Sequence, residues 1–350
     1  MKVLLVSPLP PPSGGIATWT KEIIEHFNER NDGVFVQVIN TALTGKRSDV
    51  VSNKRAIFDE LFRTRTILQR LKRLLKSDHF DVIHINTSGA QFGMYRDALI
   101  ARTAKKHGIP VVLQFRCNVK DQAEYNNISK NGFIRLVNQV DRVLVLNEPS
   151  LTYIKGKTAL PSTIIPNFTV MSVRTEPKRI NKSVSNVIFV GQVRRDKGID
   201  ELLNASRRFP NISFHLYGTV YEEYKDFDIP VNVILHGNVG KDGVMAALDE
   251  ADVFVLPSYS EGFSNALVEA MARSVPCIAT NVGANGEMLS GGCGVCIPPR
   301  NTESLVAALE ELMSAETREK YARKALERCD NCYTREHVCE MLVQEWGSGH

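Results

Sequence analysis

The 350 residues are 43% hydrophobic and 23% charged, the make-up of an ordinary globular chain long enough for two domains. The 43 Lys and Arg against 39 Asp and Glu leave a net charge of +4, too small an excess to argue for a nucleic-acid partner. Seven cysteines are an odd number in a chain whose core needs no staples, so reduced thiols are expected.

From the N-terminus, KVLLV (2–6) reads as a first strand. It is too short for the core of a signal peptide, and no apolar run approaches the roughly 20 residues that span a bilayer. The expected location is therefore the cytoplasm. IATWTKEIIEHF follows, with Ile16, Trp19, Ile23, Ile24 and Phe27 on one helical face. VFVQVI (34–39) reads as the next strand. Residues 53–78 then carry Lys54, Arg55, Arg63, Arg65, Arg70, Lys72, Arg73 and Lys76 among helically spaced apolar residues. Such a segment is either a solvated helix with a basic face or one that lies on an anionic membrane surface. DVIHI (81–85), PVVLQF (110–115) and RVLVL (142–146) complete the strands of the first half. Residues 164–185, polar and without a period, read as an interdomain linker. VIFV (187–190), ISFHLY (212–217), VNVILH (231–236), DVFVL (252–256) and VPCIAT (275–280) follow. Near-continuous Val- and Ile-rich runs are the mark of strands buried on both faces. Strand alternating with helix, twice over, predicts two parallel α/β sheets, with ligands at the carboxyl ends of the strands in a cleft between the domains. The expected boundaries are 1–165, a linker at 166–186, 187–330, and a C-terminal helix at 331–350 that packs on either domain, its own or back on the first.

Several residues after strands have the right chemistry for an anionic, hydroxyl-rich ligand. Gly14 and Gly15 stand between a strand and a helix, either as a plain turn or as a loop whose N–H groups approach a phosphate. They form neither a Gly-x-Gly-x-x-Gly fingerprint nor a P-loop. Arg194, Arg195 and Lys197 lie on the loop after VIFVGQ, a solvated basic loop or a diphosphate clamp. In SEGFSNALVEAMA (260–272), Ser264 is the candidate N-cap, and the N–H groups after it are free to receive an anion. Glu261 before the cap and Glu269 inside the helix either face solvent or accept from sugar and ribose hydroxyls. Asp226 and Asp228 read as a solvated acidic loop rather than a metal clamp. The pairs Cys293/Cys296 and Cys329/Cys332 are too far apart for a zinc ribbon, so inert thiols are the preferred reading.

Together these motifs resemble glycosyltransferase family 4, retaining enzymes of the GT-B fold found in bacterial surface-polysaccharide synthesis. SEGFSNALVEAMA matches the family's Glu-seven-residues-Glu signature. Gly14-Gly15 matches its glycine loop, IPN (165–167) the entry to its linker, VGQVRRDKG its diphosphate loop, and VGANGEML the segment closing the nucleotide side. The resemblance implies transfer of a sugar, hexose-type, from a nucleotide-diphosphate sugar to an acceptor hydroxyl with retention, without an obligatory metal or other cofactor. It implies a glycan or lipid-linked glycan as acceptor, and peripheral attachment to the inner face of the plasma membrane through 54–76. Lys197, Glu261 and Arg116 are the residues expected to carry the chemistry. The donor-binding set adds Gly14, Gly15, Arg194, Arg195, Asn238, Val239, Gly262, Phe263, Ser264, Asn265, Ala266, Leu267 and Glu269. Two positions depart from the family pattern. Gln192 stands where an arginine is common, and Arg116 where a histidine is. A sugar-nucleotide epimerase on the same fold, or a sugar-nucleotide-binding protein without activity, are the competing readings.

Overall fold

A computed structural model describes residues 1–11, 14–30, 33–42 and 57–348, with side chains in the second helix from Glu60 onward. The chain divides into two units, Met1–Pro166 with Cys339–His350, and Asn167–Val338. The expected linker segment therefore lies, from Asn167 onward, in the second unit.

The first unit runs β1 (Lys2–Ser7), α1 (Gly15–Arg30), β2 (Phe35–Asn40), α2 (Ile57–Ser77), β3 (Val82–Thr87), α3 (Gln91–Lys106), β4 (Val111–Phe115), α4 (Val119–Ala123), α5 (Asn127–Val137), β5 (Arg142–Val145), α6 (Glu148–Lys155) and β6 (Ser162–Ile164). Its strands pair in parallel in the order β2-β1-β3-β4-β5-β6. Leu4, Val6, Ile83, Ile85, Leu113 and Val143 are buried in its core. The second unit runs β7 (Asn186–Val190), α7 (Ile199–Ser206), β8 (Ser213–Tyr217), β9 (Val233–Gly237), α8 (Lys241–Glu250), β10 (Val253–Leu256), α9 (Asn265–Ala272), β11 (Cys277–Thr280), α10 (Asn285–Leu289), β12 (Val295–Ile297), α11 (Thr302–Glu311) and α12 (Ala315–Cys332). Its sheet is also parallel, in the order β12-β11-β10-β7-β8-β9. A last helix, α13 (Arg335–Gly347), belongs to the first unit from Cys339 onward.

All ten sequence-predicted strands are present, because a strand covered by helices on both faces must be apolar at nearly every position. The three-residue β6 was not foreseen; Ser-Thr-Ile is too short and too polar to leave a pattern. The strand orders also locate the sites. In the second unit the connections reverse direction between β7 and its neighbour β10, so the loops leaving these two strands stand side by side. That is where an open parallel sheet makes room for a ligand.

Candidate functional site

In the second unit, the loop after β7 carries Lys197 and the loop after β10 carries Glu261. Their side chains meet, with Lys197 Nζ 2.7 Å from Glu261 Oε1. The approach depends on Gly198, which has φ +70; a Cβ there would lie 2.0 Å from the Pro257 carbonyl oxygen. Only glycine tolerates that backbone conformation together with so close a pass. On the opposite side, Gly283 (φ +56) comes equally close to the Glu261 carbonyl, and Ala284 N–H donates to Gly262 O at 3.2 Å.

Ser264 occupies the N-cap of α9, but it does not cap in the expected way. Its hydroxyl donates to Asn285 Oδ1 at 2.7 Å instead of accepting from the first turn. The first turn of α9 also holds no acidic residue, so no carboxylate of the helix competes for its N–H groups. Asn265 Oδ1 accepts from Asn167 Nδ2 at 2.9 Å, which fixes the residue that opens the helix. Phe263 and Leu267 are buried, Phe263 edge-on to Tyr333 at 5.5 Å. Gly262, Ala266 and Glu269 keep partial exposure. Burial pushes the Glu269 carboxyl up to about 7, and the Lys241 ammonium opposes that rise. Lys241 opens α8, directly after Asn238, Val239 and Gly240. The structure thus gathers Lys197, Glu261, the start of α9, Glu269 and the loop of Asn238 and Val239 at one end of one sheet.

The two arginines foreseen beside Lys197 are engaged elsewhere. Arg194 grips Asp196 at 2.5 and 2.6 Å, and Arg195 pairs with Asp200 at 3.1 Å. Asp196 and Asp200 follow in the same short stretch and neutralise them locally. Lys241, Asn285 and Asn167 were missed by sequence reasoning. Each matters through a contact with a residue remote in the chain, and local spacing carries no signal of that.

Gly14, Gly15 and Arg116 belong to the first unit. Gly15 opens α1, and a Cβ on Gly14 would meet no atom within 4 Å. The Arg116 guanidinium lies 4.3 Å from the centre of the Trp19 ring, on the same helix start. Burial lowers its pKa to about 9. Burial and then the Arg116 charge hold His84 neutral, down to about 3. Below them, Ser7 and Thr20 hydroxyls meet at 2.6 Å, and Asn86 Nδ2 donates to Ser7 Oγ at 3.0 Å. The carboxyl end of this sheet is therefore a polar floor cut into an apolar core.

Lys54 and Arg55 of the basic segment lie outside the described residues. From α2 onward, Leu61 and Phe62 are exposed along with Arg65, Arg70, Lys72, Arg73 and Lys76. Among the described residues no helix is long and apolar enough to cross a membrane. All seven cysteines are free thiols; Cys293 and Cys329 are buried and Cys296 is exposed. Among the described residues no cluster of three or more His, Cys, Asp or Glu is placed to hold a metal ion. Asp228 makes a surface ion pair with Arg207 at 3.0 Å.

Comparison with known proteins agrees with this arrangement. Residues 174–328 match the model of the glycosyl transferases group 1, and residues 13–170 match that of Glycosyltransferase Family 4. An uncharacterized 41.2 kDa protein in the cps region of Klebsiella pneumoniae is 25% identical over 303 residues, 80% of this chain and 81% of that one. The capsular polysaccharide biosynthesis glycosyltransferase CapM of Staphylococcus aureus is 28% identical over 167 residues, 44% of this chain and 43% of that one. In fold, the chain is similar to HepE of Anabaena, solved in complex with UDP, with a TM-score of 0.74 at 17% identity over 99% of this chain and 100% of that one. The two family matches follow one another along most of the chain and divide where the two parallel-sheet units divide: the chain belongs to the family 4 glycosyltransferases, with the GT-B fold.

Proposed function

We propose that this glycosyltransferase takes its sugar from a nucleotide-diphosphate sugar and passes it to an acceptor hydroxyl with retention of configuration. The observation that carries the donor is the meeting of Lys197 and Glu261 at 2.7 Å beside the uncapped start of α9. A lysine ammonium and a row of unclaimed N–H groups suit a diphosphate, and two carboxylates suit the hydroxyls on either side of it. In this reading Glu261 holds the donor sugar, Glu269 accepts from the ribose, and Asn238 and Val239 border the base. As the bond from the anomeric carbon to the diphosphate breaks, charge builds on the leaving oxygens. Lys197 and the start of α9 are positioned to stabilise it, each positioned donor contributing about 3 kcal/mol. No step calls for a metal in this account.

Retention is the reading that the family resemblance suggests, and its check is the anomeric configuration of the product. HepE, similar in fold, was solved with UDP, and CapM is named for capsular polysaccharide synthesis. The first favours a nucleotide donor and the second a surface-glycan acceptor. The exposed basic and aromatic side of α2 fits an acceptor carried on an anionic membrane.

The deciding experiment is thermal shift against UDP-, GDP-, ADP-, dTDP- and CMP-sugars, with wild type beside Glu269→Ala. One donor class should stabilise the wild type, and the variant should lose most of that gain. Stabilisation by no donor, or equal stabilisation of both proteins, would refute the site.

A further inference from the structure

Lys197 and Glu261 stand on two loops, and their usefulness depends on how those loops are held. A misplacement of about 1 Å can cost a hundredfold in rate. One residue joins the two loops by backbone and by side chain. Tyr259 N–H donates to Asp196 O at 2.9 Å, directly before Lys197. The Tyr259 hydroxyl donates to the Glu201 carboxylate, 2.9 Å from Oε1 and 2.8 Å from Oε2, on the first turn of the helix that follows Lys197. Its ring is covered by the guanidinium of Arg300, 4.5 Å from the ring centre. Arg300 is held at φ 59, a left-handed conformation that costs a non-glycine residue. On the other side, Thr280 Oγ1 donates to Ser258 O at 2.5 Å, anchoring the residue before Tyr259.

Tyr259 lies two residues before Glu261 and only partly in the core. Its phenol spans the gap between the two loops with a charge-assisted hydrogen bond. We propose that Tyr259, braced by Glu201 and Arg300, is a positioning residue that sets the Lys197 ammonium at the height of the donor's second phosphate. The proposal rests on the donor reading given above, and it assigns Tyr259 no contact with substrate.

The test is a calorimetric titration with a nucleoside diphosphate and its monophosphate. UDP with UMP is the first pair, replaced by the guanosine or adenosine pair if that one binds more tightly. Only the diphosphate reaches Lys197, so the preference for UDP over UMP reads the placement of that ammonium. Wild type should prefer UDP, and Lys197→Ala should lose the preference. Tyr259→Phe, which keeps the ring and the backbone bond, should weaken UDP by about tenfold and leave UMP unchanged. Glu201→Ala should do the same, Glu201→Gln should recover most of the loss, and the Tyr259→Phe/Glu201→Ala double variant should be no worse than either single one. UDP and UMP weakening together, with a fall in Tm, would make Tyr259 structural only and overturn the proposal. A preference intact in Tyr259→Phe but lost in Lys197→Ala would overturn it while keeping the donor reading. If Lys197→Ala keeps the preference, or no pair binds the wild type, the donor reading itself fails.

Discussion

Glu269 carries two demands that conflict. Burial raises its carboxyl from the ordinary glutamate value to about 7, so the folded chain binds a proton that the unfolded chain has already released. Between pH 4.5 and 7 the unfolded state is therefore favoured progressively, and at pH 8 the full cost is present. Glu269→Gln removes that cost. It is expected to add roughly 2 kcal/mol of stability at pH 8 and almost nothing at pH 4, read from urea unfolding at both values. Ribose hydroxyls would satisfy the same carboxylate. Nucleotide affinity of the wild type should then rise between pH 6 and 8, while that of Glu269→Gln stays flat and lower. A wild type whose stability gap to the variant does not change with pH would mean that water already solvates the carboxylate. If Glu269 binds the ribose as proposed, its cost to the empty protein is the usual trade between function and fold.

At the scale of elements, legibility in the sequence depended on what each feature is made of. A buried parallel strand is written in consecutive residues, so the ten foreseen strands could be read from their apolar runs, rich in Val and Ile in all but β8, Ser-Phe-His-Leu-Tyr. The loop glutamate and the helix glutamate of SEGFSNALVEAMA were legible for a similar reason, since eight positions fix a turn followed by a helix start. Lys241 opposite Glu269, and Asn285 drawing the hydroxyl of Ser264 away from its cap, were not, because each depends on two elements brought together by the sheet order. The pairing of the arginines beside Lys197 was not legible either: Asp196 and Asp200 are close in sequence, and only the folded loop reveals which charges they take. The helix α2 was legible as basic and amphipathic, and the structure adds which side is outward. Leu61 and Phe62 are exposed beside Arg65, Arg70, Lys72, Arg73 and Lys76. Each cation near an anionic bilayer is worth about 1 kcal/mol. Reversing Arg70, Arg73 and Lys76 to Glu should weaken sedimentation with phosphatidylglycerol vesicles by about a hundredfold or more. Binding of the wild type should also fall with added salt, as the Debye length shortens. Equal sedimentation of the two proteins would leave α2 as a solvated helix.

At the scale of the whole molecule, the last residues of the chain belong to the first unit, although the second unit separates them in sequence. Trp346 is 1% exposed, and its indole N–H donates to His84 Nδ1 at 3.0 Å. Its ring packs 5.3 Å from Phe27, and Arg142 closes over Glu345 at 2.7 Å. His84 must stay neutral to accept that bond, and burial with the Arg116 charge holds its pKa down to about 3. The unfolded chain takes up a proton on this histidine below about pH 6.5, which the folded chain refuses. The stability it supports is therefore complete above pH 6.5 and drains away as the pH falls toward 3. The second unit carries the opposite bias at Glu269, whose cost disappears over part of the same range. Mild acid should accordingly loosen the first unit before the second. Hydrogen exchange at pH 7 and pH 5 would show it, with β1, β3 and α1 losing protection ahead of β7, β10 and β11. Trp346→Ala should reproduce that pattern at neutral pH, at a cost of about 3–5 kcal/mol for the lost ring. Trp346→Phe, which keeps most of the packing but leaves His84 Nδ1 without its donor, should cost about 1–2 kcal/mol. Loss of protection spread evenly over both units in the alanine variant would show instead that the chain unfolds as one body, with the C-terminal tryptophan holding all of it.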